Sequence, residues 1–185
     1  DLKDMASLAQ YEKLNGVISL SLRNNHFDYL GVQDLANSPF LKNLTSLNLM
    51  SNAVGDKGLL LLAESPNLSQ LESLNLESTG ITALGILALA ESSHLNRLRE
   101  INLCGNDLRE KGLRILAESG NFKNLVKLRI SGVPVGDSGF LALVQSNTLS
   151  LLEELEVMGN TITRKSLDSM TTASKLARLK KLDLR

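Results

Sequence analysis

Apolar residues recur along the chain at a fixed interval of 27 residues. The positions that define this series are Val17, Leu44, Leu71, Leu98, Leu125, Leu152 and Leu179. Each interval begins with an apolar–polar alternation of period two and continues with apolar residues at helical spacing. The pattern therefore predicts about six full copies of one strand–turn–helix unit, with strands starting near 17, 44, 71, 98, 125, 152 and 179.

The second unit illustrates how one repeat is expected to fold. Residues 46–50 alternate polar and apolar, so Leu47 and Leu49 should face the core while the side chains between them face outward. The spacing then becomes helical and places Leu59 and Leu62 on one inner face. A single unit cannot bury its apolar side alone, whereas stacked units bury it together.

An asparagine follows most of the predicted strands. It is found at Asn25, Asn52, Asn106 and Asn160. A short amide in this turn can satisfy backbone groups that the turn leaves unpaired. Thr79 fills the slot in the third unit and can substitute in part, whereas Val133 cannot. Because Pro134 also biases Val133 toward an extended backbone, we predict a locally looser turn there.

Two sets of side chains are candidate N-caps of the predicted helices. Asp28, Thr82 and Thr163 occupy one possible cap position, and Asp56 and Asp137 occupy the next. We expect these residues to stabilise helix starts locally, and they require no functional interpretation.

The motif L-x-x-L-x-L-x-x-N, followed by Gly55-Asp56-Lys57-Gly58, resembles a leucine-rich repeat of the ribonuclease-inhibitor-like class. Residues 136–139 match the second part again, and the similarity covers essentially the whole chain. The resemblance implies an α/β solenoid with a parallel sheet on the concave side and helices on the convex side, commonly used for protein binding. The uniform repeat and the repeated Ala-Glu-Ser after the helices are more like bacterial members than animal ribonuclease inhibitors.

The resemblance favours a protein–protein interaction scaffold over an enzyme. The expected role is the recognition arm of a larger protein, such as a bacterial effector, that binds an unknown partner protein through its concave face. One alternative is a GTPase-activating or regulatory protein, because one branch of the similar family activates GTPases. Another alternative is a structural, self-assembling solenoid.

The whole chain, residues 1–185, is predicted to form one leucine-rich-repeat domain. Residues 1–16 match the helical half of a preceding repeat, and residues 179–185 begin a seventh strand. Neither end carries the polar outer face that usually caps a solenoid. We therefore expect a fragment of a longer protein, whose uncapped ends could also self-associate.

Composition narrows the expected partners. Lys and Arg total 20 and Asp and Glu total 20, so the formal net charge is zero, and only 3% of residues are aromatic. Nucleic acids and anionic membranes are bound through basic patches, and neither is expected as a partner. The single cysteine fits a reducing compartment. The predicted location is cytoplasmic, or the cytoplasm of a host cell into which the protein is delivered.

The residue types that usually carry catalysis are too dispersed to form a site. His26 lies in the first turn, His94 follows the third helix and Cys104 lies on the fourth strand. His26 and Cys104 are three strand steps apart, about 14 Å by strand spacing, which is too far for a nucleophile and its base. The sequence predicts no catalytic residue, no metal site and no cofactor.

The outward strand positions form columns across the predicted sheet. The candidate protein-binding residues on this face are Asn48, Met50, Asn75, Glu77, Glu100, Asn102, Lys127, Arg129, Glu154, Glu156 and Met158. A structural interpretation is that Glu100, Lys127, Glu154 and Lys181 pair neighbour to neighbour, as do Arg129 and Glu156. The functional interpretation is a polar docking strip that binds weakly or in a salt-sensitive manner, because it lacks aromatic residues.

Overall fold

The computed structural model describes residues 2–185, with the backbone alone at residues 2, 3, 172 and 173. In this range seven parallel strands form one sheet in chain order. They are β1 Ser19–Ser21, β2 Ser46–Asn48, β3 Ser73–Asn75, β4 Glu100–Asn102, β5 Lys127–Arg129, β6 Glu154–Glu156 and β7 Lys181–Asp183. Each strand residue pairs with the residue 27 positions later, as Leu47 does with Leu74.

A helix follows each strand from β1 to β6, and another helix precedes β1. The helices are α1 Leu2–Ala9, α2 Tyr29–Asn37, α3 Gly55–Ala63, α4 Ala83–Glu91, α5 Arg109–Glu118, α6 Gly136–Val144 and α7 Arg164–Ala173. Short 3₁₀ turns occur at Glu12–Gly16, Pro66–Leu68 and Gly120–Phe122. Neighbouring helices pack on one another along one side of the sheet, so the predicted solenoid of parallel strands and outer helices is confirmed.

The hydrophobic core lies between the sheet and the helices. Leu47 and Leu49 on the sheet and Leu59 and Leu62 on α3 are each no more than 1% exposed. The predicted inward positions are therefore confirmed in this repeat. Burying a leucine side chain stabilises the fold by about 1.5–3 kcal/mol. The repeated leucines therefore contribute most of the free energy that favours packing of neighbouring repeats.

The turn after each of the first six strands needs one residue with a left-handed backbone. The residues at this position are Asn24, Ser51, Ser78, Gly105, Gly132 and Gly159, with φ between 53° and 66°. Glycine adopts this conformation at no steric cost, and asparagine tolerates it better than most residues do. The turn thus reverses direction in the same way in successive repeats.

The turn asparagine performs the predicted task. Asn52 Nδ2 donates to the carbonyl oxygens of Leu22, Leu49 and Met50 at 2.9–3.3 Å, and its Oδ1 accepts from the Asn25 amide at 3.0 Å. One side chain thereby joins two neighbouring turns. Thr79 substitutes only in part, because its hydroxyl donates to one carbonyl oxygen, that of Leu76 at 2.6 Å, besides a long contact of 3.5 Å to Asn106 Oδ1.

The same network is incomplete where Val133 replaces asparagine. Asn160 Nδ2 donates to three carbonyl oxygens at 2.8–3.4 Å. Its buried Oδ1 has no hydrogen-bond partner among the described residues. Pro134 lacks an N–H, and the Val135 N–H donates to the Val133 carbonyl at 2.7 Å instead of reaching Asn160. The structure therefore shows a missing link where the sequence predicts a looser turn.

The first set of predicted helix caps is confirmed at Asp28 and Thr82. Asp28 Oδ1 accepts from the Leu30 amide at 2.8 Å, and Thr82 Oγ1 accepts from the Leu84 amide at 3.2 Å. Thr163 occupies the N-cap position of α7 but accepts no cap hydrogen bond there.

The second set of predicted caps is wrong. α3 begins at Gly55 with φ of 59°, so Asp56 lies inside its first turn. Its carboxylate instead accepts hydrogen bonds at the start of α4, from the Thr82 amide at 2.8 Å, the Thr82 hydroxyl at 2.7 Å and the Gly85 amide at 2.9 Å. Asp137 accepts from the Thr163 amide and hydroxyl in the same manner. Each aspartate therefore caps the next repeat, because the adjacent helix N-terminus lies within reach.

A serine ladder connects the helix ends, and the sequence analysis missed it. Ser38, Ser65, Ser92, Ser119 and Ser146 donate to the carbonyl oxygens of Ala9, Ala36, Ala63, Ala90 and Ala117 at 2.5–3.0 Å. These hydroxyls satisfy carbonyl groups that the end of a helix leaves without an intrahelical partner. The repeated Ala-Glu-Ser was the sequence signal that could have revealed it.

Candidate protein-binding face

The concave face consists of the outward side chains of β1–β7 and of the residues directly after these strands. Neighbouring strands repeat at about 4.8 Å, whereas packed helices need about 8–10 Å. Stacked repeats must therefore bend toward the sheet, which makes its outer side concave. The bend brings side chains from successive strands toward one another.

The structure places all eleven predicted binding residues on this face. Along it, Asn48, Asn75, Asn102, Arg129 and Glu156 stand opposite one another in register, and Glu100, Lys127 and Glu154 form a second column. Met50, Glu77 and Met158 lie two positions beyond the ends of β2, β3 and β6. Glu100 is exposed and the other ten are half-buried. Their common location is a structural fact, and their role in binding stays a prediction.

The asparagines of the first column are held in a fixed orientation. The Oδ1 atoms of Asn48, Asn75 and Asn102 accept from backbone amides two residues later at 3.0–3.1 Å. Asn102 Nδ2 donates to Glu77 Oε2 at 3.0 Å. Between residues 2 and 185, no such acceptor is found for the Nδ2 groups of Asn48 and Asn75. These two amides present oriented, unused donors to solvent.

We call the part of the concave face on β4–β7 the charged half, because most of its strand residues are charged, and the part on β1–β3 the neutral half. Most charged side chains of the charged half form ion pairs with one another. Lys127 Nζ lies 2.8 Å from Glu154 Oε2, as predicted. Arg129 Nε lies 2.9 Å from Glu156 Oε2, also as predicted, but it is not aligned for a hydrogen bond. This contact is therefore an ion pair without a hydrogen bond.

Two of the predicted pairs are wrong. Lys181 Nζ lies 2.9 Å from Glu156 Oε1 instead of pairing with Glu154. Glu156 is the less exposed acceptor, at 13% of its side chain, and it attracts two cations while Glu154 already holds Lys127. Glu100 makes no ion pair within the described part of the chain, because the Lys127 ammonium is directed to Glu154.

These pairs shift the protonation equilibria of the carboxyl groups. The hydrogen bond from Lys181, followed by the charge of Arg129, lowers the pKa of Glu156. The hydrogen bond from Lys127 lowers the pKa of Glu154. In return, Glu156 raises the pKa of Lys181. Glu154, Glu156 and Lys181 are therefore charged at neutral pH, and a partner that bound them would have to compete with existing ion pairs.

A depression of about 160 Å³ lies where the neutral half meets the charged half. Its lining includes the backbone or side chains of Leu47, Leu74 and Ile101 and the polar residues Ser46, Asn48, Ser73, Asn75, Glu100, Asn102, Lys127 and Arg129. Small side chains on β2 and β3 leave this space open, whereas the longer side chains on β4 and β5 close one end.

A family model described as "Leucine Rich repeat" matches residues 40–63 and 68–90. These two segments cover β2 with α3 and β3 with most of α4. Together with the parallel sheet and its outer helices, the match decides the fold family. The chain has the fold of a leucine-rich repeat protein.

The chain is similar to solved internalin structures from Listeria monocytogenes. InlP shares 16% identity at a TM-score of 0.65 over 100% of this chain, which spans only 50% of the InlP chain. Internalin C2 shares 24% identity at 0.57, covering 93% of this chain and 82% of that one. InlF shares 20% identity at a TM-score of 0.52, and the match covers 100% of this chain and 57% of the InlF chain. At these identities the likeness shows the fold alone. A search of curated proteins found no match.

The histidines and the cysteine of the leucine-rich repeat lie at separate places. His26 is exposed in the turn after β1, and His94 is half-buried after α4. Cys104 lies on the concave face, where its Sγ accepts from the Ser131 amide at 3.2 Å, and burial raises the pKa of its thiol. The described residues contain no group of three or more His, Cys, Asp or Glu that could hold a metal ion. None of the described helices is long and apolar enough to cross a membrane.

Proposed function

We propose that this leucine-rich repeat protein is a non-catalytic scaffold that binds a partner protein through the neutral half of its concave face. The observation that carries the proposal is the pair of unused amide donors at Asn48 and Asn75, fixed in orientation beside the 160 Å³ depression. Donors that are already oriented lose little side-chain entropy when a partner binds.

The chemistry of this half favours a partner segment that offers hydrogen-bond acceptors. Backbone carbonyl oxygens of an extended segment could accept from Asn48 and Asn75, which stand opposite each other on β2 and β3. Met50 lies beside them and supplies an adaptable apolar contact. Because the face lacks aromatic anchors, we expect modest affinity.

The other predicted contact residues have a secondary role in the proposal. Lys127 and Arg129 are paired with Glu154 and Glu156, so a partner must break ion pairs to use them. Such an exchange brings little net affinity at an exposed surface. The binding should accordingly depend less on salt than the charge pattern of the sequence implies.

The experiment compares partner capture by three forms of the protein. The wild type is used to isolate a partner, and its affinity is then measured against Asn48→Ala/Asn75→Ala and the control Asn37→Ala. Loss of two hydrogen bonds should weaken binding by about tenfold or more, since each contributes about 0.5–1.5 kcal/mol. Asn37 is exposed at the end of α2, away from the concave face, and its substitution should leave the affinity unchanged.

A second arm distinguishes the two halves of the face. Arg129→Glu/Glu156→Lys keeps opposite charges adjacent at these two positions, and it also removes the ion pair between Glu156 and Lys181. We expect this variant to bind nearly as well as the wild type. A partner lost by the exchange but retained by Asn48→Ala/Asn75→Ala would contradict the assignment to the neutral half.

A further inference from the structure

α4 is apolar on its outer side as well as on its inner side. Ile86 and Leu89 are fully buried beneath it, yet Leu84 is 61% exposed. Between Ala83 and Ala90 the helix carries no charged residue. A helix that is apolar on all sides is normally covered on all sides, so the outer face of α4 lacks a cover.

The apolar surface continues onto the neighbouring helix α3. Leu60 is 45% exposed there. A groove of about 280 Å³ between the two helices is lined by Leu60, Ala88, Glu64 and Glu91, among others. We call the outer surface formed by Leu60, Leu84, Leu87 and Ala88 the helix patch.

Positive charges lie at one end of the helix patch. Lys57 and Lys111 are exposed in the first turns of α3 and α5, at the helical position that Leu84 occupies on α4. Lys57 Nζ lies 5.1 Å from the centre of the Tyr29 ring. Neither lysine makes an ion pair within residues 2–185.

Negative charges lie at the opposite end. Glu64, Glu91 and Glu118 are exposed at the C-terminal ends of α3, α4 and α5. None of them pairs with a cation of the described chain. Acidic side chains at a helix C-terminus interact unfavourably with the helix dipole, so local helix stability does not explain this row.

Two carboxylates lie near the basic end, and both have partners within the chain. Asp56 accepts hydrogen bonds from Thr82 and from the Gly85 amide. Glu110, in the first turn of α5, lies 2.9 Å from Arg114 one turn later. The patch is therefore an apolar centre between an unpaired basic end and an unpaired acidic end. The two ends lie about 10 Å apart, because they are separated by seven residues of helix.

We propose that the helix patch binds a second copy of this chain in a two-fold dimer. A two-fold axis that lies in the interface and crosses the helices at right angles makes the helices of the two copies antiparallel. The basic end of each copy then faces the acidic end of the other, while the apolar centres cover each other. Any other orientation brings lysines against lysines or leaves the charges unpaired, so the surface is complementary to itself.

The size of the face indicates a reversible dimer. Three helices about 10 Å apart and about 13 Å long present roughly 400 Å² per copy. This is below the area of a permanent interface, so we expect a dissociation constant on the order of 100 µM. Sedimentation equilibrium up to about 1 mM protein, roughly tenfold above that constant, would show a monomer–dimer equilibrium.

The first test places a charge on the most exposed side chain of the patch. Leu84→Glu should weaken dimerisation at least tenfold, and circular dichroism should show an intact fold because Leu84 is already 61% exposed. The control Ile18→Glu alters a side chain that is 64% exposed on the segment leading into β1, away from the helices. It should dimerise like the wild type.

The second test uses the complementarity of the two ends. One variant carries Lys57→Glu and Lys111→Glu, and the other carries Glu64→Lys, Glu91→Lys and Glu118→Lys. Each variant alone opposes like charges and should remain monomeric. Mixed in equal amounts, they should form a heterodimer, because both pairs of ends then attract. The control Lys165→Glu, at the same helical position on α7, should not affect association.

The proposal is overturned by a strict monomer at about 1 mM, since that concentration should populate the dimer. It is also overturned if Leu84→Glu dimerises like the wild type or if the two charge-reversed variants fail to associate. Loss of association in Ile18→Glu, or growth into open-ended oligomers, would assign self-association to the ends of the solenoid instead.

Discussion

The turn residue Asn106 makes hydrogen bonds with both polar atoms of its side-chain amide. Its Nδ2 donates to the carbonyl oxygens of Leu76, Leu103 and Cys104 at 2.8–3.2 Å. Its Oδ1 accepts from the amides of Thr79 and Ile81 at 3.0–3.2 Å. The side chain is 4% exposed, so these groups have no ready access to water if the amide is removed.

We expect Asn106→Ala to lower the free energy of unfolding by about 2–3 kcal/mol, because buried donors and acceptors lose their partners. Asn160→Ala should cost about 1 kcal/mol less, since Asn160 Oδ1 accepts no hydrogen bond from the described residues. Urea denaturation of both variants measures the difference. Equal losses would contradict the role assigned to the Oδ1 atom.

At this scale the sequence predicts what short, locally constrained side chains do. The turn asparagine could be assigned because its partners lie within a few residues and in the adjacent identical turn. The partner of Lys181 could not, because a long side chain reaches either Glu154 or Glu156. The difference in burial between the two carboxylates decides it and appears only in the folded sheet.

At the scale of single elements, the turn of the fifth repeat differs from the others. The Val133 amide has no hydrogen-bond partner in the described structure, whereas the Thr79 amide at the same position donates to Asn106 Oδ1. Both residues are buried to the same degree, at 1% exposure. Any difference in their exchange behaviour therefore reports on bonding rather than on burial.

We predict that the Val133 amide exchanges with solvent at least about tenfold faster than the Thr79 amide, because less energy is needed to open it locally. Hydrogen exchange followed by NMR compares the two directly. Similar protection of the two amides would show that tight packing alone holds the turn closed.

Helix starts show the limit of sequence reasoning for elements. Asp28 and Thr82 were predictable caps because the capped amide lies two residues away. Asp56 was misassigned, since its hydrogen-bond partners belong to the next repeat, near Gly85. A side chain on Gly85 would place its Cβ 2.7 Å from Asp56 Oδ1, so the glycine permits the approach. Such contacts depend on the distance between neighbouring helices, which the pattern of hydrophobic and polar residues does not specify.

At the scale of the whole molecule, the ion pairs of the concave face make stability depend on pH. The folded-state pKa values of Glu154 and Glu156 are lowered, first by Lys127 and Lys181 respectively. Their stabilisation is complete above the unfolded-state pKa of about 4.3 and is lost as pH falls through the folded-state values. The protein should therefore become less stable between about pH 5 and pH 3.

The variant Glu154→Gln/Glu156→Gln should lose less stability over that pH interval than the wild type. Glu100→Gln is the control, because Glu100 has no ion pair in the described chain. The urea midpoint measured at several pH values provides the comparison. A parallel loss in the wild type and the double variant would exclude these pairs as a source of acid sensitivity.

The layout of the molecule was predictable because a fixed repeat places equivalent residues opposite one another. Knowing the spacing of Asn48 and Asn75 was enough to place both on one face. The fixed orientation of their amides was not predictable, since it depends on hydrogen bonds to the backbone beyond each strand. The sequence thus predicted where the candidate site lies, and the structure showed which hydrogen-bond donors it presents.

The serine ladder also has a mechanical consequence. Its hydrogen bonds join only adjacent repeats, as from Ser65 to Ala36 and from Ser92 to Ala63. The repeats are therefore connected like links in series, and a force that separates the two ends acts on every junction at once. The molecule should part first at the junction with the fewest cross-links. At the junction between the fifth and sixth repeats, the Val133 turn leaves Asn160 Oδ1 without a partner, so this junction lacks one link that the Asn52 and Asn106 turns have.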